Sequence, residues 1–328
     1  MPFKLSIYRH GSTLPLLPGN NTFHSSELFR VYEATAGYTP LLIVVSKEGR
    51  PVSKLLAAVR RSSWLFPSSF FKRCEVYGIG EYFDQAADDK EHLFSLMLQA
   101  LTDAVMSDAF YIFFRNLENA LFGYKSFRTM GYIPLNWLRV HNSLHDADRL
   151  EARFSTSRIR QIKKGLHNGA EVREARTPAE VRAFAAMLQN VYSSKIRRYF
   201  PSRTFFRHLE EQLLGSDRCK IFIVCYKEKI IGGSTCFYSG EDAYLLFSGG
   251  MRKTYLLQYP GILAVWGAMR DAKEHGYRHI EFLDVGLPFR KHGYRDFVLR
   301  FGGRQTSTRR WLRFRWNWLN RLFNWFYG

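Results

Sequence analysis

Apolar positions come in short blocks along this chain. Leu41 to Val45 and Val52 to Val59 are β-rich runs broken by Lys47-Glu48-Gly49-Arg50-Pro51, the pattern of a hairpin. A helix near 24–35 precedes it, and a strand near 74–78 follows. Residues 90–107 then place apolar side chains three and four apart, which predicts a helix, before a strand at 109–114, a short helix at 119–130 and a strand at 132–140. The second half reads as helix 156–167, strand 170–174, helices 178–194 and 203–214, strands 220–226, 230–238 and 243–248, helix 260–275, strand 278–283, a helix near 291–301 and strand 304–310. Antiparallel meanders followed by a helix and a further strand predict an α/β fold, of the α+β kind, with mixed sheets.

The two halves repeat that order. Leu42-Ile43-Val44-Val45-Ser46-Lys47-Glu48 aligns with Phe222-Ile223-Val224-Cys225-Tyr226-Lys227-Glu228, and each is an apolar strand ending in a Lys-Glu turn. Gly123-Tyr124-Lys125-Ser126-Phe127 likewise matches Gly293-Tyr294-Arg295-Asp296-Phe297. A tandem arrangement follows, with one domain over 1–150, a second over 151–310 and a tail over 311–328.

Composition adds an asymmetry of charge. The net charge is +19 over 328 residues, of which residues 1–150 carry +2 and the remainder +17. An anionic partner for the second half is expected, whether nucleic acid, a phosphorylated donor or a membrane face. The four cysteines form no C-x-x-C pair, and no Cys/His set has zinc spacing, so no metal is expected. His141/His145 and His275/His279 read as surface or cap histidines. The first residues lack the apolar stretch of about 7–15 residues that a secretory signal needs, and no run reaches the ~18 apolar residues of a bilayer span, which points to the cytoplasm.

Arg158-Ile159-Arg160-Gln161-Ile162-Lys163-Lys164-Gly165, the hairpin ending Ile231-Gly232-Gly233, Tyr244-Leu245-Leu246-Phe247-Ser248-Gly249-Gly250, the helix from Gly261 to Gly276, Phe282-Leu283-Asp284-Val285-Gly286 and Phe301-Gly302-Gly303 follow one another in a telling order. That order resembles the GNAT-like acyltransferases of the Fem type, the peptidoglycan-bridge aminoacyltransferases and their acyl-CoA-using relatives. The resemblance covers roughly residues 20–310, with its specific motifs in 158–303. It implies tandem GNAT-like (acyl-CoA N-acyltransferase) domains, the first degenerate and the second catalytic. It also implies no tightly bound cofactor, acyl-CoA or aminoacyl-tRNA as donor co-substrate, and an amine acceptor of the lipid- or cell-wall-linked kind.

Two departures stand beside it. Between Gly249 and Pro260 there is no Gln/Arg-x-x-Gly-x-Gly/Ala loop of the sort that holds a pyrophosphate at a helix N-terminus. Where Fem-type enzymes read Phe-Lys-x-x-Phe-Gly, this chain has Phe297-Val298-Leu299-Arg300-Phe301-Gly302, which leaves Arg295 or Arg300 to replace the lysine. These departures also define a competing class, a non-catalytic GNAT-like protein that binds nucleic acid or anionic membrane through its basic half.

N-acyl transfer needs two oriented substrates, a proton acceptor and a stabilised oxyanion. Asp284 is the candidate catalytic carboxylate because it ends an apolar strand before a glycine-containing loop. Arg252, Lys253 and Tyr255, with Lys163 and Lys164 on the helix that also carries Arg158 and Arg160, are the candidate donor-binding residues. Lys195, Arg197, Arg198, Arg203 and Arg207 form a second basic cluster. Read as a helix, 311–327 places Arg313, Asn317, Asn320, Arg321 and Asn324 on one face. Trp311, Leu312, Trp318, Leu319, Leu322, Phe323, Trp325 and Phe326 lie on the other, which predicts an anchor on the anionic inner face of the membrane.

Overall fold

The computed structural model describes residues 3–61, 72–83, 89–117, 119–145, 148–193 and 200–327. Lys195, Arg197 and Arg198 of the second basic cluster lie outside the described residues. In chain order the elements begin with β1 (Lys4–Tyr8), α1 (Ser26–Ala34), β2 (Tyr38–Lys47), β3 (Arg50–Arg61), β4 (Lys72–Tyr77), β5 (Glu81–Tyr82) and α2 (Lys90–Val105). There follow β6 (Tyr111–Arg115), α3 (Tyr124–Thr129), β7 (Ile133–Ser143), α4 (Thr156–His167), β8 (Glu171–Glu174), α5 (Pro178–Val191), α6 (Arg203–Leu213) and β9 (Cys219–Tyr226). The last are β10 (Lys229–Ser239), β11 (Asp242–Gly250), α7 (Pro260–Glu274), β12 (His279–Phe282), α8 (Gly293–Leu299), β13 (Arg304–Phe314) and α9 (Asn317–Tyr327).

The chain divides into two units. Residues 1–137 and 307–328 form the first, and residues 138–306 the second. In the first unit β1, β2, β3 and β4 pair antiparallel in turn, β4 pairs parallel with β6, and β6 pairs antiparallel with β13. Helix α2 crosses between the two parallel strands and buries Leu93, Phe94, Met97, Leu98 and Leu101 against Leu41, Ile43, Leu55, Cys74, Val76 and Phe114. In the second unit β8, β9, β10 and β11 are antiparallel neighbours, β11 is parallel to β12, and β12 is antiparallel to β7. Helix α7 makes the equivalent crossover and buries Leu263, Ala264, Val265, Ala268 and Met269.

Both units therefore hold the meander, helix and parallel strand that the repeat implies. Each takes its final antiparallel strand from the far part of the sequence. Residues 138–143 of β7 complete the second unit, and residues 310–314 of β13 complete the first. The division accordingly falls at 137/138 and 306/307 rather than at 150 and 310. Pattern alone carries no information about which distant edge a strand will cover, so this exchange is invisible in a local reading.

The tail also differs from a single helix over 311–327. β13 runs to Phe314, Trp311 is fully buried, and only 317–327 is helical. Trp311 stacks on Phe127 at 4.5 Å in the first unit's core. An apolar run buried on both faces is a strand whose sequence looks continuous, and a helix reads the same way over four residues.

The paired Lys-Glu turns are two-residue hairpin loops. Glu48 and Gly49 take φ of 53° and 79°, and Lys227 and Glu228 take 46° and 64°. Left-handed backbone at two successive non-glycine residues is strained, and Asn-Gly fits it better. The double change Lys227→Asn, Glu228→Gly is expected to raise the urea midpoint, by about 1 kcal/mol of stability, with an unchanged slope.

Candidate functional site

The second unit contains an opening between parallel strands. β11 and β12 stay in register from Asp242↔His279 to Leu245↔Phe282, and β12 ends there while β11 continues to Gly250. A bulge on β11 helps the strands diverge, since β10 Thr235 faces Phe247 whereas the next residue, Cys236, faces Leu245. The divergent half of β11 is half-buried over residues 246–249 and ends at Gly250, which is buried against the start of α7. In the first unit β4 and β6 pair as far as Tyr77↔Arg115, and Gly78 N–H then donates to the Arg115 carbonyl at 2.8 Å, so the equivalent gap is closed.

The two crossover helices differ in charge as well. Helix α2 begins behind Asp89, and Glu91 in its first turn accepts from Gly123 N–H at 3.0 Å. Helix α7 has no acidic residue in its first turn to oppose its positive end. Two glycines let that end lie on the sheet. A Cβ at Gly250 would fall 2.5 Å from Gly261 N, and one at Gly232 would fall 2.9 Å from Pro260 Cβ.

Asp284 is exposed at the mouth of this opening, just beyond β12. Its charge reaches three neighbours, Tyr192 at the end of α5, Tyr294 on α8 and His292 before α8. The Tyr192 hydroxyl donates to the Ser248 carbonyl at 2.6 Å on the divergent part of β11, and Tyr294 bonds to the Ser248 side chain. Burial first, and Asp284 in addition, pushes the Tyr192 phenol up to about 12 and the Tyr294 phenol higher still. Both phenols therefore stay protonated at neutral pH. Burial, aided by Arg295, lowers the His292 pKa, with Asp284 acting in opposition, so its imidazole is neutral. Tyr192 also packs on Phe200 at 4.9 Å, which in turn meets Phe247 at 5.0 Å.

The other sequence candidates fall into two groups. Arg252 and Lys253 are exposed in the turn after β11, and Lys163 and Lys164 are exposed on α4. Asn168 at the end of α4 donates to the Leu257 carbonyl at 2.8 Å, which ties that helix to the loop before α7. Tyr255 leans on Tyr226 at 6.0 Å, with Lys229 Nζ 5.8 Å from its ring. Arg300 is exposed at the end of α8.

Arg295 is different. It is buried, and its two terminal nitrogens donate to the Leu287 and Arg290 carbonyls at 2.9 and 2.6 Å, so it braces the loop after Asp284 rather than replacing the missing lysine. Val298 is in the core. Arg158 also leaves the basic face assigned to its helix. It is buried between Phe297 and Phe301, 4.6 and 4.4 Å from their rings, and donates to the Phe297 carbonyl at 2.8 Å. Of the residues missed, Tyr294 stood in the Gly-Tyr-x-x-Phe repeat and Ser248 in the motif run, whereas Tyr192 carried no signal.

His145 and His275 are exposed, and His275 caps the end of α7, whereas His141 and His279 are half-buried and form part of a cluster. The His141 and His279 rings lie 4.3 Å apart at a tilt of 39°, His145 meets His279 at 5.2 Å, and His279 Nδ1 lies 2.8 Å from Asp242 Oδ1. His141 shares a short hydrogen bond with buried Glu281, whose carboxylate also faces Arg139 at 3.7 Å. Strand pairing brings together what the sequence separates, because His141 on β7 is directly opposite Glu281 on β12. Among the described residues no group of three or more His, Cys, Asp or Glu side chains is placed to hold a metal.

The hydrogen bond to Glu281 raises the His141 pKa despite its partial burial. A raised folded-state value contributes stability below the unfolded value of 6.5, and that stability is lost as pH rises through the folded value. The urea midpoint is accordingly expected to fall as pH rises through that window, and His141→Gln to flatten the decline.

Residues 153–291 match the family model "Acetyltransferase (GNAT) domain". No curated protein matches the chain. Among solved structures, FemX aligns with a TM-score of 0.63 at 11% identity, covering 94% of this chain and 96% of that one. A tandem GNAT protein from the clavulanic acid biosynthesis pathway aligns at 0.55 and 13%, covering 95% and 99%. The C-terminal domain of a putative lysylphosphatidylglycerol synthetase from Agrobacterium fabrum aligns at 0.57 and 10%, covering 92% and 89%. The chain has the tandem GNAT fold that its order of motifs implies, and the family match lies in the part of the sequence that carries the opening.

Proposed function

We propose that residues 138–306 transfer an acyl or aminoacyl group from acyl-CoA or aminoacyl-tRNA to an amine. The observation that carries this reading is the gap between β11 and β12, with the start of α7 on one side and Asp284 at its mouth. Donor phosphates lie at the α7 N-terminus with Arg252, Lys253, Lys163 and Lys164, and the reacting carbonyl lies in the gap. A neutral amine attacks that carbonyl and its proton passes to Asp284. The C–N bond forms as the C–S or C–O bond breaks, and the leaving thiolate or ribose oxygen is reprotonated. Tyr192 and Tyr294, both protonated, hold Ser248 and leave Asp284 as the anionic group they surround.

The acceptor in this proposal is lipid-linked, and α9 carries the protein to the anionic inner face of a membrane. The exposed aromatic face of α9 supports this, as does likeness to a protein named for making a lysyl lipid. No helix among the described residues is long and apolar enough to cross a bilayer.

One observation favours the non-catalytic reading. Val298 is buried where the resemblance places a lysine, and Arg295 is engaged with backbone carbonyls. Native mass spectrometry of the purified chain, followed by incubation with acyl-CoA, aminoacyl-tRNA and a panel of amines, separates the two. Acyl transfer expects a donor that is retained and consumed. A chain that holds nucleic acid or lipid and never turns over a donor is a binding protein.

A further inference from the structure

In the second unit α5 buries Val181, Phe184 and Leu188, α6 buries Phe205, Phe206 and Leu209, and the two helices meet where Phe184 and Phe206 lie 5.9 Å apart. The start of α5, the end of α6 and the end of β8 line a cleft of about 710 Å³. Ala175, Val181 and Leu214 give it apolar walls, and Glu174, Arg176, Arg182 and Glu210 bring four charges to it. Apolar walls with a few placed polar groups, at this volume, are the make-up of a small-molecule site.

These charges are not explained by the fold around them. Glu210 and Glu211 stand in the last turn of α6, where no basic residue accompanies them and the negative end of the helix disfavours carboxylates. Glu211 is engaged by His208 Nδ1 at 2.8 Å and faces Arg207 Nε at 3.7 Å. Among the described residues Glu210 forms no ion pair or side-chain hydrogen bond, and neither does Glu174 at the end of β8. Both are half-buried, and burial pushes both carboxyls above their usual range, although the charge of Arg182 opposes this at Glu210 and that of Lys220 at Glu174. The exposed guanidinium groups of Arg176 and Arg182 likewise make no ion pair or hydrogen bond among the described residues. They are not needed by the start of α5, which Thr177 and Glu180 cap reciprocally while Glu180 pairs with Arg173.

Two carboxylates and two guanidinium groups that line one cleft without pairing in it are the complement of a ligand that carries both charges. We propose that this cleft binds a zwitterion of the amino-acid or short-peptide kind, with its ammonium at Glu174 and Glu210 and its carboxylate at Arg176 and Arg182. Each end then gains charge-assisted hydrogen bonds, the guanidinium forks matching a carboxylate in two-pronged fashion. Val181 and Leu214 offer apolar cover to a side chain between the two ends. Arg182 precedes Tyr192 by about three turns of α5, or ~15 Å, so the cleft stands apart from the gap between β11 and β12. Its failure would leave the acyl-transfer reading untouched.

Calorimetric titration of the full chain with leucine and with glycyl-leucine tests it. Blocking either end of the dipeptide, as N-acetyl-glycyl-leucine or as glycyl-leucinamide, is expected to weaken binding about tenfold or more. Glu210→Gln and Arg182→Gln should each weaken glycyl-leucine to a similar degree with little change in unfolding midpoint, since neither side chain belongs to the core. Pairing variants with blocked ligands assigns the ends. N-acetylation should cost little further affinity in Glu210→Gln, and amidation little further in Arg182→Gln. Tighter binding of glycyl-leucine than of leucine identifies a peptide end as the ligand, and the reverse order identifies a free amino acid. The proposal is overturned if neither compound binds, if both blocked dipeptides bind as tightly as glycyl-leucine, or if Glu210→Gln and Arg182→Gln bind it like the parent.

Discussion

Asp284→Asn is expected to lower kcat/KM for acyl transfer by about 10²–10⁴-fold while leaving the unfolding midpoint nearly unchanged. The carboxylate is exposed at the end of β12, so removing its charge empties no part of the core. Its neighbours are two phenols held protonated by burial and the neutral His292 imidazole, which is a second group able to take the amine proton. The amide keeps the shape and the hydrogen-bonding reach of the side chain but does not take a proton. Steady-state rates with the donor found by mass spectrometry, set beside thermal unfolding of both proteins, decide the matter. Normal turnover by Asp284→Asn would reduce this residue to a loop cap, and transfer would then depend on His292 or solvent to accept the proton.

A second substitution separates chemistry from architecture at the same site. Tyr192 bonds to a backbone carbonyl of β11 and packs on Phe200, so Tyr192→Phe keeps the packing and loses the 2.6 Å hydrogen bond. Its effect should be smaller than that of Asp284→Asn, because it shifts the position of Ser248 and removes no proton acceptor.

Elements with a strong local pattern were legible in the chain. Helix α4 occupies the predicted span, starting where Ser155 Oγ accepts from Arg158 N–H, and both Lys-Glu turns are two-residue hairpins. What local pattern does not encode is the partner of a strand. The exchange of β7 and β13 rests on contacts between residues about 140–200 positions apart, and only the register Glu281↔His141 and Arg310↔Arg115 reveals it. The same pairing assembles the histidine cluster. Arg158 shows a different limit, since an arginine near lysines at helical spacing looks solvated until Phe297 and Phe301 close over it. The candidate site was half visible. Asp284, Ser248 and Tyr294 stood in motifs, but Tyr192 sits at the end of α5 with nothing in its own neighbourhood to mark it.

The last helix turns this lesson into an experiment. Leu319 and Phe323 of α9 pack inward on Ile133, Leu312 and Phe314, and Asn320 bonds both backbone groups of Phe314 at 2.8 and 2.9 Å. Asn324 accepts from Arg128 at 3.1 Å, so two residues expected on the polar outer face point back at the protein. Trp318, Leu322, Trp325 and Phe326 point outward and are 63, 43, 78 and 64% exposed. After Asp296 the sequence contains seven arginines and no acidic residue, so this apolar face is set in a positive field. In the proposed reading this helix lies in the interface of an anionic bilayer, where aromatic burial supplies the apolar part and each nearby arginine adds about 1 kcal/mol. Replacing Trp318, Trp325 and Phe326 together by serine is expected to release the protein from phosphatidylglycerol vesicles in a flotation assay and to leave its unfolding midpoint in place. Ending the chain after Trp316 should release it too, with a modest loss of stability from Leu319 and Phe323. Ending it after Arg310 should behave otherwise, because Trp311 fills the first unit's core and losing a buried tryptophan costs about 3–5 kcal/mol. If the triple-serine protein still floats with the vesicles, or the parent never does, the outward face of α9 serves some other partner and the membrane reading fails.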